Sequence, residues 1–243
     1  MSRSRLLPLL WTLALLAAAG FCALGTWQYG RMHQKQAMLD AVQAVLQRRE
    51  AQPLALAADP ARKTDYDWAA GEGEFAPGPA LLLDNQQRED RAGVRAYRLF
   101  RPEMGAQPLL VELGWLPLPG DRRLPVIALP EGRQRIQGLL SPPPSHGLLA
   151  AVVARQPDGT LLITGLDAAD LPRELQLERL PPRVLKLDPA LPLGYARDLD
   201  ILPNTLTPER HFGYAVQWFA LAIAVLVTAL VLTLRGSKPK IAA

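Results

Sequence analysis

The order of apolar and polar positions divides the chain into three parts. Residues 6–25 form a run of twenty positions without a charge, in which Thr12 is the only clearly polar side chain. A second uncharged run covers residues 212–234, and Thr207-Pro208 before it is a typical helix start. About 20 apolar residues cross a hydrocarbon core of about 30 Å as a helix. The pattern therefore predicts transmembrane helices over 6–25 and 207–234.

The region after the first span keeps the helical period. Its apolar residues recur at spacings of three and four, and Pro53 and then Asp59-Pro60 interrupt the pattern. We expect a helical extension over 26–52. The apolar positions that predict it are Met38, Leu39, Val42, Val45 and Leu46.

Residues 53–206 alternate short apolar runs with turn residues, which predicts strands. Of the 23 prolines, 21 lie between residues 31 and 210, and proline disfavours helix interiors. We predict a mainly antiparallel β domain, barrel-like or sandwich-like, between the two membrane helices. The predicted strands are Tyr66–Gly73, Ala80–Asn85, Gly93–Phe100, Pro108–Leu116, Arg133–Leu140, Thr160–Gly165, Arg183–Leu187 and Gly194–Ile201.

The charges at the two ends predict the orientation. Five basic residues and no acidic ones flank the spans at the termini, at Arg3, Arg5, Arg235, Lys238 and Lys240. The remaining 22 basic and 23 acidic residues lie between residues 31 and 210, for a net charge of −1. By the positive-inside rule, segments 1–5 and 235–243 face the cytoplasm or a mitochondrial matrix, and the β domain lies on the outer side. A cleaved signal peptide, with Ala17-Ala18-Ala19 as its cleavage site, is the alternative, although a signal core is usually shorter than this run.

Composition excludes several classes of protein. One cysteine, Cys22, cannot form an internal disulfide or a zinc ribbon, and with four scattered methionines it offers no soft Cu(I) site. Gly71-Glu72-Gly73-Glu74-Phe75-Ala76 resembles a dinucleotide motif, but Pro77 prevents the helix that a phosphate site requires. We find no nucleophile elbow, P-loop or pair of metal-binding histidines. Because the excess basic charge belongs to the tails, nothing indicates nucleic-acid binding.

Candidate chemistry gathers at the outer ends of the two spans. His211, Tyr214 and Trp218 follow one another at helical spacing with Gln217 beside them, and Trp27, Gln28 and Arg31 lie at the end of the first span. An imidazole beside aromatic side chains and a cation is the set of groups that a membrane-embedded haem needs. These residues are therefore a candidate cofactor site, in which the imidazole of His211 could supply an axial nitrogen, although spacing alone favours the alternative. The alternative is an aromatic belt that anchors the helices while the histidine faces water.

Four motifs between and around the spans make the chain resemble the Surfeit locus protein one (Surf/Shy) family of cytochrome c oxidase assembly factors. Two pairs of residues depart from the family's usual motifs. Glu112-Leu113 stand in place of Asn-Arg before Gly-Trp, and Glu209-Arg210 stand in place of the common asparagine pair before the histidine. The four motifs are Gly25-Thr26-Trp27-Gln28 with Arg31 and Lys35, Leu83-Asp84-Asn85 with Arg91-Ala92-Gly93-Val94, Gly114-Trp115-Leu116-Pro117, and the stretch from His211 to Phe219.

The resemblance implies a non-enzymatic role in the maturation of a haem-copper oxidase. It implies that haem a binds transiently at His211, with Tyr214, Trp218 and Trp27 shaping the pocket and Arg31 as a propionate partner. The implied partners are oxidase subunit I, other assembly factors, haem a synthase and membrane lipid. The short segment before the first span leaves no room for a transit peptide, which favours a bacterial plasma membrane with the domain in the periplasm.

Two other functions remain open at this point. A cofactor-free scaffold would hold an oxidase assembly intermediate through its outer domain. A two-span enzyme acting on haem or lipid would need a reactive group that the sequence does not reveal.

Overall fold

The computed structural model describes residues 3–103, 105–144, 150–167, 169–202 and 205–236. It divides into two compact units, Met1–Leu39 with Leu206–Ala243, and Asp40–Thr205. His146 lies outside the described residues. In the described part, two helices are long and apolar enough to cross a membrane. They flank a mixed β domain, as predicted.

The first unit contains most of helix α1 (Arg3–Arg48) and all of helix α3 (Pro208–Gly236). Helix α1 has 46 residues, whereas an apolar span alone requires about 20. The predicted helical extension after Gly25 is therefore a direct continuation of the first membrane helix. This helix ends four residues before the predicted limit at residue 52. The side chains outside the interface between the helices are largely exposed and apolar, as lipid contact requires.

The end of α1 belongs to the second unit and is fixed there by Arg49. This residue has a left-handed φ of 48°, and its N–H donates to the carbonyl of Val45, which terminates the helix. Its guanidinium lies 4.7 Å from the centre of the Trp68 ring and 3.6 Å from a carboxylate oxygen of Asp188. A cation–π contact and an ion pair thus hold the last turn of α1 on the β domain.

The described residues of the second unit form one sheet of nine strands with the short helix α2 (Leu171–Glu174). Two 3₁₀ turns, Leu54–Ala58 and Pro60–Arg62, precede most of the sheet. The strands are β1 (Gln52–Pro53), β2 (Asp67–Phe75), β3 (Leu81–Arg88), β4 (Arg91–Pro102), β5 (Leu109–Pro117), β6 (Arg133–Ser141), β7 (Val153–Arg155), β8 (Leu161–Ile163) and β9 (Val184–Leu187).

Five of these strands pair in a closed ring. The order is β2-β6-β9-β5-β4, and β4 pairs with β2 again through Phe100–Pro102, which closes the ring as a small barrel. The first part of β4 pairs instead with β3, which extends the sheet to β8 and β7. Most pairings are antiparallel, while β1 with β2, β3 with β8 and β5 with β9 are parallel.

The central strands are buried on both faces. Along β4, Val94, Ala96 and Phe100 belong to one apolar cluster, whereas Tyr97 and Leu99 belong to a second cluster on the opposite face. The first cluster fills the ring of five strands, and the second lies under β8 and α2. This two-sided burial explains why β4 and β5 lack the simple alternation of a strand with one solvated face.

One predicted strand is wrong. Residues Gly194–Ile201 form only an isolated bridge, in which Ala196 pairs with Trp115. The guanidinium of Arg197 donates to the carbonyls of Asp188, Leu191 and Tyr195, so this segment folds on itself instead of continuing beside β5. The other seven predicted strands overlap observed ones, while the short strands β1 and β7 were not predicted.

Candidate functional site

The two membrane helices contact each other along one stripe of side chains on each helix. The contacts run in opposite directions along the two chains, because Trp11 bonds Thr233 while Gln28 bonds His211. The less exposed positions recur mainly at alternating spacings of three and four, the period of left-handed helix packing. They are Trp11, Ala14, Ala18, Phe21, Gly25, Gln28, Met32 and Lys35 on α1, and Pro208, His211, Ala215, Trp218, Ala222, Val225, Ala229 and Thr233 on α3.

Small residues bring the helices close together around Gly25. A Cβ on Gly25 would lie 2.8 Å from the Phe219 ring, so only glycine fits there without displacement. Ala215 and Ala222 of α3 are 2% and 3% exposed. Phe21 and Trp218 stack with ring centres 5.6 Å apart and planes inclined by 27°. These contacts pack this section of the interface closely.

His211 lies in this interface and is 6% exposed. Its Nδ1 is 2.6 Å from Oε1 of Gln28 on α1. The structure therefore brings together two of the predicted site residues that are 183 positions apart in the sequence. The sequence predicted that each of them lies near the outer membrane face. The structure shows in addition that the two side chains are in direct contact.

Two cations accompany the histidine. Arg31 and Lys35 of α1 both interact electrostatically with His211. Arg31 is exposed and donates from Nη1 to Oε1 of Gln34 at 2.8 Å. Lys35 lies on the same stripe as Gln28, one heptad further along α1. The surroundings of His211 are thus suited to an anionic group.

The predicted aromatic residues occupy two different environments. Trp218 lies in the interface, whereas Trp27 is 57% and Tyr214 42% exposed, and Gln217 is exposed as well. Tyr214 therefore does not share the buried face of His211 and Trp218, because it lies about 60° around the helix from His211, on the side away from Ala215. Ala215 takes the buried position instead.

Helix geometry places the exposed groups on one side of the pair. With His211 facing Gln28 in antiparallel helices, the 100° step per residue puts Trp27 and Arg31 on the same side as Tyr214. Gly25 and Phe219 fall on the opposite side, in agreement with their contact. We call the first side the His211 groove. It is defined by Trp27, Arg31, His211 and Tyr214.

A second set of motif residues meets in the β domain. Trp115 packs against Gly93, donates from its indole nitrogen to the carbonyl of Gln86 at 3.3 Å, and lies 5.5 Å from the guanidinium of Arg91. We call these four residues the Trp115 cluster. Gly114 has a φ of 125° at a bulge of β5, with no room for a side chain beside the carbonyls of Tyr195 and Ala196. Gly114 and Trp115 therefore stabilise the fold.

Elsewhere, the described residues contain fewer groups that could bind a cofactor or a metal ion. Those residues contain no group of three or more His, Cys, Asp or Glu side chains that could hold a metal ion. A cavity of about 250 Å³ lies beside the end of β2, lined by Glu74, Arg101 and Glu103 among others. The stretch Gly71–Phe75 lies inside β2, with no helix after it, so the dinucleotide-like pattern is a strand.

Comparison with known protein families identifies a match over most of the chain. The model of the SURF1 family matches residues 15–223, which include most of α1, the β domain and the first half of α3. The chain belongs to the SURF1 family. No curated protein matches the chain. Membership of the SURF1 family implies a role in the assembly of cytochrome oxidase. The resemblance found in the four sequence motifs is confirmed.

Proposed function

We propose that this SURF1 family member binds haem a transiently at His211 and assists its insertion into subunit I of cytochrome c oxidase. The observation that carries the proposal is the position of His211, a histidine in the interface of two apolar helices, beside the cations Arg31 and Lys35. A histidine packed between two membrane-spanning helices is a candidate functional residue.

The residues present fit the chemistry of the group. Haem a supplies an iron that accepts an imidazole nitrogen, a flat apolar ring system and two carboxylates. His211 would hold the iron, Trp27 and Tyr214 would contact the ring system in the His211 groove, and Arg31 and Lys35 would pair with the carboxylates. Trp218 would support the imidazole from within the helix interface.

The burial of His211 favours transient binding. Because the ring is 6% exposed, a ligand reaches it only when the helix pair rearranges locally. The free energy of this rearrangement is subtracted from the intrinsic affinity, which weakens net binding. A carrier that must release its cargo to subunit I needs such moderate affinity.

The proposed location is a bacterial inner membrane, with the β domain in the periplasm and both termini in the cytoplasm. The basic residues at the two ends of the chain support this orientation. In that arrangement the β domain would contact subunit I and other assembly factors, and haem a synthase would supply the haem. Both transfers would take place at the outer membrane face.

An absorption spectrum of the full-length protein, purified in detergent after co-expression with haem a synthase, tests the proposal. We expect a haem a band in the wild type that is lost in His211→Ala. His33→Ala is the matched control, because His33 is an exposed histidine of α1 whose ring contacts Tyr29. Haem-free wild type with an intact fold, or equal haem content in wild type and His211→Ala, would refute haem binding at His211.

A cofactor-free scaffold is the second candidate. The hydrogen bond between His211 and Gln28 also stabilises the helix pair without any ligand. Under this alternative the wild type carries no haem, and His211→Ala still co-purifies with the oxidase assembly intermediate.

A further inference from the structure

The imidazole of His211 is held from one side only. Its Nδ1 lies 2.6 Å from the amide oxygen of Gln28, which is short for an N–H···O hydrogen bond. Among the described residues, no second side chain is hydrogen-bonded to the ring. Gln28 is half-buried on the interface stripe of α1, so its own position is restricted by the packing.

This contact determines which ring nitrogen can act as a ligand. A neutral imidazole has one nitrogen that donates and one that accepts, and an amide oxygen only accepts. When Nδ1 donates its hydrogen to Gln28, the free electron pair is on Nε2. Histidines that bind metals commonly show this arrangement, in which the second nitrogen donates to a carbonyl or carboxylate.

We propose that Gln28 is a positioning residue that fixes the Nδ1-protonated form of His211 and so presents Nε2 to the haem iron. The role of Gln28 in haem binding rests on the proposed function. Which nitrogen of the ring carries the hydrogen can be measured without haem. A reversed amide would donate to Nδ1 instead. The hydrogen would then be on Nε2, and His211 would be unable to bind iron.

The neutral amide also limits the strength of the ligand. A carboxylate at the same position would pull more strongly on the Nδ1 hydrogen and make Nε2 a better donor to iron. An amide gives orientation with less gain in basicity. Glutamine at position 28 therefore suits a site that must bind haem and later release it.

The first test uses the haem-free, full-length protein in detergent. Nitrogen NMR of ¹⁵N-histidine-labelled protein reports which ring nitrogen carries the hydrogen in neutral His211, and single replacements of His33 and His146 assign the signals. We expect the Nδ1-protonated form in wild type and in Gln28→Glu, and a shift towards the Nε2-protonated form in Gln28→Leu. Gln43→Leu, at an exposed position of the same helix, should resemble wild type.

The second test uses the haem-loaded protein. We expect Gln28→Leu to weaken haem affinity about 10- to 100-fold, the usual loss when such a hydrogen-bond partner is removed. Gln28→Glu should bind haem, with a reduction potential lower than that of wild type. Gln28→Glu retains the volume of the side chain and an oxygen that accepts the hydrogen bond. It therefore still tests the role of Gln28 if Gln28→Leu does not fold.

The outcomes separate the two proposals. An Nε2-protonated His211 in the wild type, or a potential unchanged in Gln28→Glu while haem still binds through His211, would overturn the role of Gln28 and leave the haem carrier standing. A wild type with the expected ring state that binds no haem would support the positioning by Gln28 and overturn the haem carrier.

Discussion

Glu112 shows how a single buried carboxylate can organise the core of the β domain. Its carboxylate is 1% exposed and accepts hydrogen bonds from Arg95 at 2.5 Å and from the Tyr97 hydroxyl at 2.9 Å, with Lys186 Nζ 3.3 Å away. Burial by itself raises the pKa of Glu112. The charges of Lys186 and Arg95 and the two hydrogen bonds outweigh it and lower the pKa below the usual value.

We predict that Glu112→Gln destabilises the β domain by about 3–5 kcal/mol, because it removes the buried counter-charge of Lys186 and leaves Arg95 with only the more distant Asp198, at 4.0 Å. Urea denaturation followed by tryptophan fluorescence measures the loss. Glu103→Gln, at an exposed ion pair with Arg133, is the matched control and should change stability by less than about 1 kcal/mol. Equal stabilities of the two variants would show that the buried cluster contributes little.

The same cluster predicts a dependence on pH. An unfolded glutamate has a pKa of about 4.3, and the pKa of Glu112 in the folded domain is lower. Its stabilising contribution is therefore complete above about pH 4.3 and is lost as the pH falls through the folded value. Urea midpoints measured from neutral pH down to about pH 3 should decrease in the acid range for wild type, and less steeply for Glu112→Gln. Parallel curves would contradict the assignment.

Gly93 carries the close packing of the Trp115 cluster. A Cβ at this position would overlap the backbone carbonyl of Leu116 and the indole of Trp115. We predict that Gly93→Ala lowers the free energy of unfolding by about 1–3 kcal/mol through overpacking. Gly120→Ala is the control, since a Cβ at that position would have no neighbouring atom within 4 Å. Thermal unfolding of both variants, monitored by tryptophan fluorescence, checks the difference.

At the scale of elements, the helix pair depends on small residues at defined positions. We predict that Gly25→Val separates α1 from α3 locally, because a side chain there collides with Phe219. Gly20→Val on the same helix has open space around it and should be tolerated. In a Cys22→Ser background with cysteines at positions 28 and 211, whose native side chains are in contact about one turn from Gly25, a short thiol cross-linker should join the helices less efficiently in Gly25→Val. Equal cross-linking in both variants would contradict this packing.

The sequence predicted the long elements better than the connections between them. Strands such as Pro108–Leu116 contain short apolar runs bounded by turn residues, so local pattern and final structure agree. β1 and β7 have two and three residues, and tertiary pairing alone defines them. The closed ring forms because β4 pairs with β3 along its first part and with β2 at its end. No local sequence pattern predicts this change of partner. In the helix pair, residue spacing located Gln28 and His211, while only the structure shows which residues face each other.

At the scale of the whole molecule, charge separates the ends of the chain from its middle. The five terminal basic residues have no acidic neighbours, whereas the region between residues 31 and 210 is nearly neutral. Transfer of basic segments across a membrane is disfavoured relative to that of a balanced domain, which is the basis of the positive-inside rule. The distribution therefore predicts that α1 and α3 have their basic ends on the same side of the membrane.

Cysteine labelling in intact cells tests this orientation. In a Cys22→Ser background, Gln107→Cys places a thiol at an exposed position of the β domain, and Ala242→Cys places one near the end of the chain. We expect a membrane-impermeant maleimide added to spheroplasts to label Gln107→Cys, and to label Ala242→Cys only after lysis. The reverse pattern would invert the topology, and labelling of both positions before lysis would mean that α3 does not span the bilayer. Either result would remove the proposed location of His211 at the outer membrane face, because that location follows from α3 entering the membrane at Pro208 and leaving it at its basic end.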